Sequence, residues 1–161
     1  MANKSGKKKV VLASGIFDLL HLGHVKFLEG AKKAGGKNAK LVVIIARDST
    51  VEKTKGRKPI MPEDQRLALV ESLKVVDEAV LGYEKLDIGE FIEKVKPDVI
   101  ALGYDQVEME RRVSQYVNEH NLDTKIVRIC KFDADALGSS SQIREKVVEN
   151  WLKRISDHDF Q

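Results

Sequence analysis

A doubly wound α/β sandwich is the fold class this chain predicts, on three observations. Its short apolar runs are continuous rather than alternating, as in parallel strands covered on both faces. Amphipathic stretches separate those runs at regular spacing. The whole is 161 residues long, one domain by the usual size prior.

The elements follow in order. Residues 1–8 read as a disordered basic tail, and residues 9–156 as a single domain. Strands are predicted at Lys9–Ala13, Leu41–Ala46, Ala79–Leu81, Val99–Leu102 and Ile126–Ile129. The first predicted helix runs from Leu22 to Ala34, with Val25, Leu28 and Ala31 on one face. A second begins at Pro62, with Glu63 and Asp64 behind it and Leu67, Val70 and Leu73 on one face. Phe91 and Val95 mark a third, Val107–Glu119 a fourth, and Ser139–Ile155 the last. Right-handed crossovers leave few ways to connect such units.

Composition bounds the function. The chain is 42% hydrophobic and 33% charged, enough for one real core, and its net charge of +3 is too mild to argue for nucleic-acid binding. Lys7-Lys8-Lys9 before an apolar run resembles a secretory leader, but Asp18 interrupts the run and no cleavage site follows. No stretch is long and apolar enough to predict a membrane span. The one cysteine, Cys130, follows an apolar strand and is expected to be buried; it fits a reducing compartment, and a cytoplasmic location is expected.

The chemistry concentrates in Gly15-Ile16-Phe17-Asp18-Leu19-Leu20-His21-Leu22-Gly23-His24, where the first strand turns into the first helix. In an open α/β sheet that is where phosphates bind, because backbone N–H groups and the helix dipole point outward there. His21 and His24, at i and i+3, would add side-chain donors; the alternatives are helix-capping surface histidines, or a metal site with Asp18. The backbone of Gly15, Ile16 and Phe17 would cradle phosphate oxygens, and Gly23 fits close backbone approach. Asp18 reads equally as a helix cap or as a partner of a histidine tautomer or Mg²⁺.

Three further segments follow. Lys53-Thr54-Lys55-Gly56-Arg57-Lys58 reads as a cationic loop after the second strand, with Arg66 one turn into the next helix. Lys53 and Lys58 are expected to be solvated. Gly103-Tyr104-Asp105 follows the fourth strand; Gly103 would admit a base or ribose and Asp105 would accept from ribose hydroxyls, unless the segment is a plain turn with Asp105 as cap. Ser139-Ser140-Ser141 opens the last helix with Arg144 one turn on, a denser anion site than capping needs, although serines there are usually caps. His120 and His158 have no motif around them, and Trp151 reads as packing.

Five pieces, "GIFDLLHLGH", "ARDSTVEKTKGRKPIMPEDQR", "VDEAVLG", "DVIALGYDQ" and "SSSQIRE", span Gly15 to Glu145. In this order they resemble the HxGH nucleotidyltransferases related to glycerol-3-phosphate cytidylyltransferase and phosphopantetheine adenylyltransferase, and within them the archaeal-type FAD synthases. That resemblance implies a Rossmann-like three-layer sandwich with five parallel strands in the order 3-2-1-4-5. It implies catalysis by His21, His24, Lys55 and Arg144. The nucleotide would be held by Gly15, Ile16, Phe17, His21, His24, Gly103, Asp105, Ser139, Ser140, Ser141 and Arg144. Asp18, Lys55, Arg57 and Arg66 would hold the acceptor. The substrates implied are ATP, accompanied by Mg²⁺ or another divalent metal with no confident protein ligand, and a phosphate-bearing acceptor, FMN preferred, giving FAD and pyrophosphate. A CTP-dependent cytidylyltransferase of the glycerol-3-phosphate type and a non-catalytic nucleotide-binding regulator stay open as alternatives. A homodimer without nucleic-acid or membrane partners completes the expectation.

Overall fold

The structure is a computed structural model, and it describes residues 7–84, 88–132 and 137–158, with side chains as far as residue 156. Five strands form one parallel sheet: β1 (Val10–Gly15), β2 (Lys40–Ile45), β3 (Glu78–Leu81), β4 (Val99–Gly103) and β5 (Lys125–Ile129), in the order β3-β2-β1-β4-β5. Along β1 and β2 the side chains alternate between two apolar layers. Val11, Ala13, Leu41, Val43 and Ile45 pack with Leu28 and Ala31 of α1 (Leu22–Ala34) and, beyond α2 (Asp48–Lys55), with Val70 of α3 (Glu63–Glu71). Leu12, Val42 and Ile44 pack with Phe91 and Ile92 of α4 (Ile88–Val95) and Val113 and Val117 of α5 (Val107–Glu119). Continuous apolar strands are therefore satisfied on both faces, which makes the third layer obligatory. The last helix, α6 (Ser140–His158), follows β5.

Several expectations are corrected. Lys53, Thr54 and Lys55 lie on α2, a helix absent from the sequence reading, which ends at Gly56 in the left-handed region (φ 68°). Pro62 is the residue before α3 rather than inside its first turn, with extended backbone. Cys130 is exposed, because β5 is an edge strand covered only in part. Trp151 is 62% exposed on α6, with Val148 and Leu152 beside it also exposed. Of the basic tail, residues 1–6 lie outside the described residues, and Lys7 and Lys8 are exposed and irregular. The side chain of His158 also lies outside them, whereas His120 is exposed and stacks on Tyr116. Among the described residues no helix is long and apolar enough to cross a membrane.

Candidate active site

The strand order reverses between β1 and β4, where Ala13 pairs Ala101 and Gly15 and Gly103 lie two residues further on. A cavity of about 770 Å³ opens along the C-terminal edge of the sheet at this point. His21, His24, Lys55, Arg57, Asp105 and Arg144 all line it, although they come from opposite ends of the chain.

The β1–α1 turn is held tightly. Phe17 and Leu19 both have left-handed backbone (φ 54° and 49°), strain that bulky residues accept only where the surroundings impose it. The turn sends the Phe17 ring into the core, 2% exposed, beneath Gly15. A Cβ on Gly15 would lie 2.8 Å from that ring, so this glycine makes room for Phe17. Gly23 is likewise set by the chain: a Cβ there would meet the Gly138 carbonyl oxygen at 2.7 Å. The start of α1 and the approach to α6 thus touch backbone to backbone.

His21 is the N-cap of α1, and its N–H donates to Nδ1 of His24 at 3.4 Å. The two rings stack with centroids 3.8 Å apart. Burial, then the neighbouring His21, pushes His24 down to about 4 against a smaller opposing pull from Asp18, and burial also lowers His21. Both imidazoles are therefore neutral at pH 7. An accepting Nδ1 places the His24 proton on Nε2. The Nδ1 of His21 is buried without a partner.

Asp18 does not cap α1. Its carboxylate, 5% exposed, accepts from the N–H groups of Ile60 (3.0 Å) and Met61 (2.9 Å), and its Oδ2 lies 3.5 Å from Arg144. Its carbonyl accepts from the Ser140 hydroxyl at 2.5 Å. Asp18 so joins the β1–α1 turn, the segment before α3 and the start of α6. Both carboxylate oxygens thus serve contacts within the chain.

Arg66 differs most from expectation. It is wholly buried and does not line the cavity. Its guanidinium donates to the carbonyls of Met61 (2.9 Å), Ile16 (2.6 Å) and Ala46 (2.8 Å), and pairs with Asp48 at 2.6 Å. A planar fork is the group that can tie four segments at once. Arg66 belongs to the scaffold beneath the site rather than to the acceptor pocket.

Of the three serines, Ser139 caps α6, its Oγ accepting from Gln142 N–H at 3.2 Å, and Ser140 is spent on Asp18. Ser141 accepts a long 3.4 Å contact from Arg144. All three line the cavity; the Ser140 hydroxyl is committed to Asp18, while Ser139 and Ser141 act as acceptors, and Arg144 is held only by contacts of 3.4 and 3.5 Å.

Two residues escaped the sequence reading. Gln106 accepts from Gly103 N–H at 2.7 Å and donates to the Ser14 carbonyl at 3.3 Å, closing the switch point and engaging the N–H that Gly103 would have offered a ligand. Gln106, not Asp105, stands before α5 as its cap residue; Asp105 is exposed. Arg47 lines the cavity, donates to the Gly82 carbonyl at 2.7 Å and pairs with Glu63 at 2.9 Å. Neither position carries a local signal, since each bridges strands that are distant in sequence.

Among the described residues no three His, Cys, Asp or Glu side chains gather as a metal site. The donors that converge are N–H groups and cations, a set suited to phosphate oxygens.

A family model described as cytidylyltransferase-like matches residues 12–146. The FAD synthase of Methanopyrus kandleri is 46% identical over 145 residues, covering 90% of this chain and 95% of that protein. The FAD synthase of Methanobrevibacter smithii is 47% identical over 151 residues, covering 93% and 98%. A Thermoplasma volcanium crystal structure, titled a lipopolysaccharide core biosynthesis protein, is 46% identical with a TM-score of 0.71, covering 79% of this chain and all of that one. Pantoate-beta-alanine ligase from Francisella tularensis, 15% identical with a TM-score of 0.53 over 79% of this chain and 60% of that one, shares the fold alone.

Proposed function

The chain belongs to the cytidylyltransferase-like family, and from that membership and its FAD synthase relatives we propose that it joins the AMP moiety of ATP to FMN, releasing pyrophosphate as FAD forms. An oxygen of the FMN phosphate attacks the α-phosphorus in line. The new P–O bond forms as the bond from the α-phosphorus to the bridging oxygen breaks, and that oxygen leaves with pyrophosphate. The observation that carries this reading is the stacked, neutral His21–His24 pair sharing one cavity with Lys55, Arg57 and Arg144.

Each group has a task that follows from its state. The imidazole N–H groups donate to the α-phosphate as charge develops, which is stabilisation rather than nucleophilic attack. Arg144 meets the β- and γ-phosphates. Lys55 and Arg57, on and just beyond α2, screen the repulsion between two phosphates that must approach each other. Asp105, at the opposite end of the sheet edge, accepts from ribose hydroxyls. A divalent cation travels with the triphosphate and, when bound, spreads its negative charge. We expect the reaction in the cytoplasm, by an enzyme that acts as a homodimer.

Mass spectrometry of products from ATP and CTP, each with FMN, glycerol 3-phosphate and phosphopantetheine, tests the reading. FAD with pyrophosphate is the expected product. Faster formation of CDP-glycerol would replace it with the cytidylyltransferase reading, and no turnover with any pair would point to a regulator.

A further inference from the structure

The cavity has two ends, and their chemistry differs. At the β4–β5 end Tyr104 is 47% exposed with the Lys131 ammonium 5.7 Å from its ring centre, and Asp105 is beside it in sequence. At the β2–β3 end the lining is apolar and aromatic: Ile44 from β2, Val51 from α2, Tyr83 just past β3, and Ile88 and Phe91 from α4. Tyr83 packs against Phe91 with ring centroids 4.5 Å apart, yet it is 37% exposed, so part of its ring is left uncovered. Gly82 stays beside Ile44, where a Cβ would lie 3.5 Å from the Ile44 side chain, and its carbonyl is held by Arg47.

Arg47 and Thr54 also line the cavity, and the Arg47 guanidinium is held by the Gly82 carbonyl and Glu63, whereas one polar atom near them has no such partner. Thr50 is 8% exposed, lines the cavity, and its hydroxyl is buried without a hydrogen-bond partner. A buried hydroxyl left unpaired costs free energy, and a partner supplied by a ligand removes that cost. An aromatic and aliphatic wall with one orphaned hydroxyl beside it is suited to a flat heteroaromatic ring with a polar edge. It has no use for a glycerol chain. Lys55 and Arg57 line the same cavity from α2 and the residues after it, so a ligand with its ring in the slot would have its phosphate at these cations.

We propose that the β2–β3 end of the cavity is the flavin slot, with the isoalloxazine ring stacked on Tyr83 and its polar edge hydrogen-bonded to the Thr50 hydroxyl. The assignment rests on FMN as acceptor, and it makes Tyr83 and Thr50 the residues that select a flavin phosphate over an aliphatic one. Phe17 also borders the cavity, but at 2% exposed its ring offers no free face for stacking.

Flavin fluorescence titration of the full chain, with FMN, riboflavin and glycerol 3-phosphate as probes, tests it beside steady-state kinetics. Tyr83→Leu is expected to weaken FMN binding and raise its KM about tenfold, with loss of stacking quench and no change in KM for ATP. Tyr83→Phe keeps the ring and is expected to stay within about twofold of wild type in both KM values. Thr50→Val, which keeps the shape and removes the unpaired hydroxyl, is expected to raise KM for FMN about fivefold while the free protein melts no lower than wild type. Riboflavin should displace FMN, and glycerol 3-phosphate should do so only weakly. If Tyr83→Leu and Thr50→Val bind FMN as tightly and as quenched as wild type, the slot is wrong while FAD synthesis stands. If wild type neither binds FMN nor makes FAD, the slot and the activity fall together.

Discussion

Stacking two imidazoles at 3.8 Å is costly if both carry charge and harmless if neither does. Burial and proximity hold His24 down to about 4, so the resting pair is neutral and offers N–H groups without mutual repulsion. A donor in place before charge develops needs no reorganisation at the moment of reaction. His24→Ala is therefore expected to lower kcat by roughly 10²–10³ while leaving the melt near wild type. Stopped assays of pyrophosphate release beside a thermal melt decide it. A well-folded variant turning over at nearly the wild-type rate removes His24 from the reaction.

Elements meet at this site through a few multivalent groups. Arg66 on α3 holds the ends of β1 and β2, the start of α2 and the segment before α3 through four donations. Asp48 and Glu63 reinforce it, each carboxylate contacting the other's backbone N–H at 3.3 and 2.7 Å. α2 carries Lys55, so the clamp positions the cation proposed to meet the acceptor, and Arg66 itself does not line the cavity. Arg66→Met leaves three partly buried carbonyls and a carboxylate without their shared donor, and is expected to cost on the order of 3 kcal/mol of stability. Urea unfolding measures it. A variant with wild-type stability and only a raised KM for FMN would return Arg66 to the acceptor pocket.

For the whole molecule, the depressed histidines set a pH dependence. His24 ionises near its ordinary 6.5 in the unfolded chain and at about 4 in the folded one, and His21 is shifted in the same direction. Between these values the unfolded chain binds the extra proton, so stability is full above about pH 6.5 and is lost as pH falls toward 4. The His24 contribution is at most on the order of 3 kcal/mol across that window. Urea midpoints from pH 7.5 to 4.5 should fall for wild type and fall less for His24→Ala. Parallel curves for the two proteins would show that His24 is not buried as described.

Local pattern was enough for the parallel sandwich, because strands covered on both faces must read as continuous apolar runs and helices covered on one must read as stripes. It was enough, too, to single out the β1–α1 turn and the cations after β2, which the fold brings to one cavity. Helix α2 was hidden because Asp48–Lys55 is mostly polar, and its burial depends on Thr50 and Val51 meeting neighbours that sequence does not show. The partners of shared side chains were hidden as well. Arg66 looked like a phosphate ligand because charge is visible in a sequence and burial is not. Ser140 looked like an anion donor although its hydroxyl is donated to the Asp18 carbonyl. Gly15 and Gly23 both line the cavity, and their missing Cβ atoms also leave room for Phe17 and Gly138, a packing reason the sequence did not show. Residue type and spacing determined which chemistry the chain carries. Contacts between segments up to 126 residues apart, such as Asp18 with Arg144, decided which charged groups face the cavity and which hold it open. Those contacts form only when the sheet is assembled, because hydrogen bonding and desolvation act on distance in space.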